Sequence, residues 1–201
     1  MRLFVGIALP SEIKERLGHL RAGLPGARWV DPLNMHLTLR FIGETGQAQA
    51  EEIDAALAAL GCPAFDLGLS GTGTFGSGRR LRAVWAGVEK SQTLLRLQAK
   101  IEQALIRTGL APDGHKFTPH VTLARFKSNP GARLAAYLEA VSAFAAQPFH
   151  VDGFTLFESH LNRDGAAYQR LVDYPLGLSG GAGLGEKEVP DKMLGARRAL
   201  G

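Results

Sequence analysis

The sequence contains a single cysteine, Cys62, among its 201 residues. A disulfide within the chain needs two cysteines, so the disulfide frameworks of small secreted domains are excluded. No uninterrupted apolar run approaches the ~20 residues that a transmembrane helix needs. The apolar stretch at the start stops at Pro10 without a small-residue cleavage site, which argues against a signal peptide. We therefore expect a cytoplasmic protein that does not interact with membranes.

The chain also lacks a strong excess of either charge. Lys and Arg number 23 against 19 Asp and Glu, which gives a net charge of +4, and 45% of the residues are apolar. This balance is typical of a globular protein with a hydrophobic core. The small positive surplus suits a polyanionic ligand without requiring one. Arg79, Arg80 and Arg82 would fit an RNA backbone, but solvated turn charges account for them at least as well.

What the sequence does contain is an internal repeat. A strand–helix–strand–helix–strand unit is predicted twice, around residues 3–75 and 83–174, and a shift of 84 places His36 on His120. The predicted strands cover 3–9, 28–30, 34–43, 65–75, 83–89, 117–126 and 149–157. This order indicates an α+β protein with two lobes within one domain, residues 1–176. Residues 177–201 are rich in glycine and are expected to form a flexible tail.

Helical spacing of apolar residues predicts four helices. Ser11 is expected to cap the first helix and Ser91 the third, while the second and fourth cover roughly 47–60 and 131–144. The apolar faces of the first and third helices are Ile13, Leu17, Leu20 and Leu24, and Leu94, Leu97, Ile101 and Leu105.

The most informative motif is His-x-Thr-Leu and its near copy, HLTL at 36–39 and HVTL at 120–123. Residues two apart in a strand project from one face, so His36 shares a face with Thr38, and His120 with Thr122. Two such strands facing each other would hold two imidazoles and two hydroxyls around one bound group. Histidine can act as acid or base near neutral pH, and hydroxyls can donate hydrogen bonds to phosphate oxygens. The pair therefore indicates cleavage of a phosphodiester.

A purely structural role or a metal site accounts less well for the two histidines. A lone histidine on a strand is usually structural, but here two occur at equivalent points of a repeat. No carboxylate or cysteine recurs beside either one, and a repeated threonine is not typical of a transition-metal site. We expect no metal and no other cofactor.

The sequence resembles the two-histidine (2H) phosphoesterase superfamily, and within it the bacterial RNA 2',3'-cyclic phosphodiesterases, also called 2'-5' RNA ligases. The resemblance covers about residues 2–174. The segments that carry it are RLFVGIALP, HLTLRFIGE, AVWAGVE, FTPHVTLAR and FESHLNRDGAAYQRL, in that order. It implies a bilobal fold of two pseudo-twofold-related antiparallel sheets flanked by helices, with the His-x-Thr motifs facing a central groove.

The resemblance also implies roles for individual residues. His36 would protonate the leaving 3'-oxygen and His120 would activate water, although the repeat alone does not reveal which histidine is the acid. Arg125 would contact phosphate, and Phe41 would line the nucleotide pocket or simply pack in the core. Ser159 and Tyr168, in the last segment, are expected mainly to pack within a hairpin.

The implied activity is hydrolysis of RNA 2',3'-cyclic phosphate to a 2'-phosphomonoester, with ligation of 2'-5' linkages as the reverse reaction. The expected partners are RNA ends or nucleotide cyclic phosphates, and we expect a monomer. Two alternatives remain open. One is a phosphodiesterase for a small nucleotide such as a cyclic phosphate of ADP-ribose, and the other is an RNA-end-binding protein without catalysis.

Overall fold

The computed structural model describes residues 1–128, 130–162 and 165–177, which form nine strands and four α-helices. The strands are β1 (Arg2–Ala8), β2 (Ala27–Trp29), β3 (His36–Glu44), β4 (Phe65–Phe75), β5 (Ala83–Val88), β6 (His120–Phe126), β7 (Ala145–Val151), β8 (Gly153–Asn162) and β9 (Gly165–Pro175). The helices are α1 (Ser11–Gly18), α2 (Gln47–Ala58), α3 (Gln92–Arg107) and α4 (Ala132–Ala140). None of the described helices is both long and apolar enough to span a membrane.

All strand pairs are antiparallel, and they form one sheet in the order β7-β4-β5-β6-β3-β1-β8-β9, with β2 attached to β6. The two halves of this sheet meet at β3 and β6 through one residue pair, Leu37 and Val121. The predicted α+β class with antiparallel strands is confirmed. The two predicted sheets are continuous at this one junction.

Each half of the sheet draws strands from both repeats. Lobe A consists of β1, β3, β8 and β9, and lobe B consists of β4, β5, β6 and β7. Strand β4 belongs to the first repeat but pairs with β5 in lobe B. The hairpin β8–β9 closes lobe A, because β8 pairs with β1 from Leu3–Glu158 to Gly6–Thr155. The two repeats are therefore interleaved.

The predicted helix α3 forms as its apolar spacing requires. Its predicted apolar face is fully buried, and the side chain of Ser91 accepts a hydrogen bond from the Leu94 N–H at 3.2 Å. Capping of this kind satisfies one of the free N–H groups of the first turn. The helix is also tied to the motif strand β3, because Arg40 Nε donates to Glu102 Oε2 at 2.5 Å.

The first helix is shorter than predicted and begins differently. It ends at Gly18, so Leu20 and Leu24 follow the helix, although Leu24 is still buried. Pro10 occupies the position before the first turn, and no side chain caps the helix, so the predicted Ser11 cap is wrong. Glycine disfavours helix continuation, and Gly23 and Gly26 then turn the chain at positive φ.

Three further elements differ from the predictions. The single strand predicted over 149–157 is two strands, β7 and β8, which separate at Asp152. The helices predicted near 47–60 and 131–144 end at Ala58 and Ala140. Apolar periodicity locates such elements but fixes their ends poorly.

One cluster of buried apolar residues runs through both lobes. It includes alternate residues of both motif strands, namely Leu37, Leu39, Val121 and Leu123. The tail expected over 177–201 lies outside the described residues apart from Gly177, whose N–H donates to the Cys62 carbonyl at 2.9 Å.

Candidate active site

Both His-x-Thr motifs lie on strands whose side chains alternate between core and groove. On β3, Leu37 and Leu39 are buried, whereas His36 and Thr38 are only partly covered. Strand β6 repeats this pattern, with Val121 and Leu123 in the core and His120 and Thr122 partly exposed. The core residues hold each strand in place and leave the polar pair free on the opposite face.

The junction between the lobes brings these two polar pairs together. Leu37 pairs with Val121 in antiparallel register. The residues beside that pair therefore face each other as His36 with Thr122 and Thr38 with His120. Facing residues of antiparallel strands lie on the same side of the sheet, so two imidazoles and two hydroxyls share one surface.

Both histidines are oriented by the same type of hydrogen bond. Nδ1 of His36 lies 2.8 Å from the Asn34 carbonyl oxygen, and Nδ1 of His120 lies 2.7 Å from the Thr118 carbonyl oxygen. A carbonyl oxygen only accepts hydrogen bonds, so Nδ1 carries the hydrogen in each case. In the neutral form, Nε2 of each ring is left with a free lone pair, which can take up or return a proton.

Aromatic rings surround the two histidines unequally. The His36 ring lies 4.7 Å from Phe4 and 4.8 Å from Tyr168, between centroids, with Phe157 at 5.8 Å. The His120 ring lies 4.6 Å from Phe75, and Trp85 is at 6.3 Å. His36 therefore has the more apolar environment of the two.

This environment lowers the pKa of both imidazoles. Burial lowers the pKa of His36 from 6.5 to about 4, against the opposing effect of its hydrogen bond to Asn34, and the charges of Arg125, His120 and Lys14 add to the lowering. Burial also lowers the pKa of His120, and Arg125 contributes in the same direction. Both rings are therefore neutral at pH 7 in the free protein.

A groove of about 740 Å³ adjoins His36, since two of the rings that contact His36 also line this groove. Phe41 lies in its wall with 57% of its surface exposed, and Arg125 lines it with an exposed side chain. The remaining charged lining residues are Arg2, Arg21, Arg28 and Asp31. The groove therefore combines exposed aromatic surface with positive charge.

No group of three or more His, Cys, Asp or Glu side chains within the described residues is placed to hold a metal ion. The chemical groups gathered here are imidazoles, hydroxyls and guanidinium groups. Together they can transfer protons and bind an anion.

Comparison with known sequences agrees with this geometry. The sequence model of the 2'-5' RNA ligase superfamily matches residues 9–163, which is more than half of the chain. The chain belongs to the 2'-5' RNA ligase superfamily.

Curated relatives in this superfamily match over most of their length. The RNA 2',3'-cyclic phosphodiesterase of Aeropyrum pernix is 34% identical over 175 residues, which cover 85% of this chain and 96% of the relative. The protein of the same name from Thermotoga maritima is 32% identical over 179 residues, which cover 86% of this chain and 94% of the relative.

Two solved structures have the same fold as this chain. E. coli LigT complexed with 3'-AMP superposes with a TM-score of 0.73 and 30% identity, covering 87% of this chain and 97% of LigT. A crystal structure described as a phosphoesterase superposes with a TM-score of 0.74 and 29% sequence identity. The match covers 88% of this chain and 98% of the phosphoesterase.

The sequence of this superfamily member predicts six site residues, and the structure places all of them near the junction or in the adjoining groove. They are His36, Thr38, Phe41, His120, Thr122 and Arg125. Phe41 does not pack in the core, which was the alternative prediction for this residue, because its side chain is largely exposed. Arg79, Arg80 and Arg82 are not among the residues that line the groove.

Several groups that contact the site residues could not be identified from the sequence. Phe4, Phe157 and the carbonyl of Asn34 contact His36 directly. Ser159 and Tyr168 pair with each other within the β8–β9 hairpin, as expected, and both also line the groove. In the sequence, only the last segment of the family pattern points to Tyr168. Its contact with His36 depends on the pairing of β8 with β1, which local sequence patterns do not predict.

Proposed function

We propose that this protein is an enzyme that hydrolyses the 2',3'-cyclic phosphate at an RNA end to a 2'-phosphomonoester, without a metal ion. The observation that carries the proposal is the facing arrangement of two His-x-Thr pairs. Nδ1 of each histidine is bound to a carbonyl, and Nε2 has no hydrogen-bond partner among the described residues. Such a pair can supply one general base and one general acid on the same substrate.

In the proposed reaction, Nε2 of His120 removes a proton from water while the water oxygen attacks phosphorus. The bond from phosphorus to the 3'-oxygen breaks, and protonated His36 gives its Nε2 proton to that oxygen. One bond forms, one breaks, and the two histidines finish with their protonation states exchanged. Solvent then restores the starting states. The residues all come from one chain, so a monomer suffices for this chemistry.

Thr38 and Thr122 are proposed to donate hydrogen bonds to the non-bridging phosphate oxygens. Their hydroxyls lie beside the opposing histidines, on the surface where the phosphate would sit. Arg125 is proposed to add a guanidinium contact to the same group. Its charge already lowers the pKa of both histidines, which is consistent with a position close to the two rings. Donors fixed in advance stabilise the charge that develops in the transition state.

A bound phosphate would also explain how His36 becomes protonated. Its pKa of about 4 makes the protonated form scarce in the free protein near neutral pH. A phosphate anion beside the ring would favour the imidazolium and offset the repulsion from Arg125. We propose that the substrate itself raises the pKa of its proton donor.

The relatives support this choice of substrate, since proteins from Aeropyrum pernix and Thermotoga maritima are named RNA 2',3'-cyclic phosphodiesterase. A small nucleotide is the second candidate, because E. coli LigT has been crystallised with ATP and with NADP+. Ligation of 2'-5' linkages would be the reverse of the proposed chemistry by microscopic reversibility.

The deciding experiment is incubation of a 2',3'-cyclic-phosphate oligonucleotide with the protein in excess EDTA, followed by identification of the phosphomonoester formed. A 2'-phosphate supports the proposal, including the loss of the 3'-oxygen. A 3'-phosphate would mean that the 2'-oxygen leaves, so the roles of His36 and His120 would need to be reversed. Binding of the oligonucleotide without product would contradict the proposal and leave the two alternatives, a small-nucleotide phosphodiesterase and a non-catalytic RNA-end-binding protein.

A further inference from the structure

Two arginines that are far apart in the sequence lie directly opposite each other in the groove. Strand β2 pairs with β6 so that Arg28 is the cross-strand partner of Arg125. Both side chains are exposed and both line the groove. Like charges in such a position repel and destabilise the strand pair. Neither arginine forms an ion pair within the described part of the chain.

Two more arginines line the same groove from other segments. Arg2 comes from β1 and Arg21 from the turn after α1, and both are exposed. Neither has an ion-pair partner among residues 1–128, 130–162 and 165–177. The acidic lining residue Asp31 uses one carboxylate oxygen to accept the Leu33 N–H at 2.8 Å. The groove thus carries four guanidinium groups against one carboxylate.

Tyr137 packs against the two segments that carry Arg21 and Arg28 and holds them beside the groove. The Tyr137 hydroxyl donates to the Leu20 carbonyl at 2.9 Å, next to Arg21. The Tyr137 ring also lies 6.0 Å from the ring of Trp29, which follows Arg28. Helix α4 therefore holds both arginine-bearing segments in place before any ligand binds.

We propose that Arg2, Arg21 and Arg28 form an upstream strand subsite, which binds the phosphodiester backbone of the nucleotides that precede the terminal cyclic phosphate. This inference rests on the proposed function and narrows its substrate class to oligonucleotide ends in preference to mononucleotides. Exposed arginines along a groove with an exposed aromatic ring, Phe41, are the combination that binds single strands. A phosphate between Arg28 and Arg125 would also relieve their repulsion.

The subsite can be tested by binding, independently of turnover. The probes are a short fluorescent RNA that ends in a 2'-phosphate and the corresponding nucleoside 2'-phosphate, used as a competitor. We expect the RNA to bind at least about tenfold more tightly, the size of effect that one charged hydrogen bond produces. With three arginines on the backbone and Arg125 on the terminal phosphate, the logarithm of affinity should fall against the logarithm of salt with a slope of about −3, at roughly −0.7 per contact.

Arg28→Gln should weaken RNA binding about tenfold and reduce the salt slope by about 0.7. The charge-matched control is Arg96→Gln, because Arg96 is exposed on α3 and does not line the groove. The inference is overturned if the RNA binds no more tightly than the nucleotide, or if Arg28→Gln and Arg96→Gln give the same affinity and slope. Failure of the proposed function looks different, because cyclic-phosphate RNA would then bind with the expected slope but give no phosphomonoester.

Discussion

The ring of Tyr168 stands edge-on to the imidazole of His36, with 4.8 Å between centroids and 83° between planes. Tyr168 reaches this position from the last strand of the sheet, which belongs to the same lobe as β1. Together with Phe4 and Phe157, it keeps water away from one side of the imidazole. The low pKa of His36 follows from this apolar contact more than from any charge.

Replacing Tyr168 should therefore change the titration of His36. Tyr168→Ala opens the ring contact to water and should raise the pKa of His36 from about 4 toward 6.5. Tyr168→Phe keeps the ring and serves as the control, with a pKa close to that of the natural protein. Titration of the His36 ring protons by NMR measures both values. A Tyr168→Ala protein that titrates like Tyr168→Phe would show that the ring does not desolvate His36.

The two histidines should be individually essential for turnover. His36→Ala or His120→Ala should each lower kcat/KM on a cyclic-phosphate oligonucleotide by at least ~10²-fold, the usual contribution of one acid or base. His150→Ala is the matched control, because His150 is an exposed residue paired with Asp66 at 2.8 Å. If either motif variant retains the full rate, the acid–base mechanism is wrong.

The pH dependence of kcat/KM should be bell-shaped with its maximum below pH 6.5. The proposed mechanism needs His36 protonated and His120 neutral, and kcat/KM reports these groups in the free protein. The pKa of His36 is about 4 and that of His120 is also lowered from 6.5, so the required pair is most abundant at acidic pH. The optimum of kcat should lie higher, since bound phosphate raises both pKa values. A kcat/KM maximum at alkaline pH would contradict this assignment.

Stability should also depend on the titration of His36. Its pKa is lower in the folded protein than the ordinary 6.5, so the unfolded chain binds more protons between pH 6.5 and about 4. The stability associated with neutral His36 is complete above pH 6.5 and is lost as the pH falls, by up to about 3 kcal/mol. Urea unfolding of the natural protein and His36→Gln at several pH values measures the difference. Parallel curves for the two proteins would show that His36 makes no such contribution.

A methyl group at Gly6 should disturb both stability and the site. A Cβ there would lie 2.8 Å from the Leu37 carbonyl oxygen and 3.6 Å from the His36 ring, and backbone cannot yield as a flexible side chain can. Gly6→Ala should cost about 1–3 kcal/mol in the free energy of unfolding, the range for overpacking, and reduce activity. Gly114→Ala is the control, because Gly114 lies in an exposed loop and a Cβ there meets nothing within 4 Å. Equal unfolding free energies for the two variants would refute the clash.

Much of the candidate site could be predicted from the sequence because it depends on local periodicity. The alternation in β3 and β6 places His36 and His120 on the polar face whatever the rest of the chain does. The repeat then indicates that the two strands are equivalent. The position of Ser91 before an apolar helix likewise predicts a cap, and its hydroxyl does accept the Leu94 N–H.

The remainder of the site depends on strand pairing between distant segments. Arg28 meets Arg125 because the short strand β2 pairs with β6, and Tyr168 meets His36 because a hairpin pairs with β1. Apolar periodicity shows which face of a strand is buried but not which strand lies beside it. The predicted Ser11 cap fails for a different reason, since Pro10 fills the position before the helix and no side chain caps it.

The interleaving of the repeats has a consequence for how the protein is made. Lobe A contains β1, which leaves the ribosome before the other strands, and is completed only by β8 and β9, which leave it after them. These pairings join distant parts of the chain, so their loop-closure entropy must be overcome before they stabilise anything. Lobe B uses contiguous residues 65–151 and can assemble earlier during synthesis. The His120 motif can thus fold first, and His36 gains its aromatic neighbour Tyr168 only with β9, the last of the nine strands.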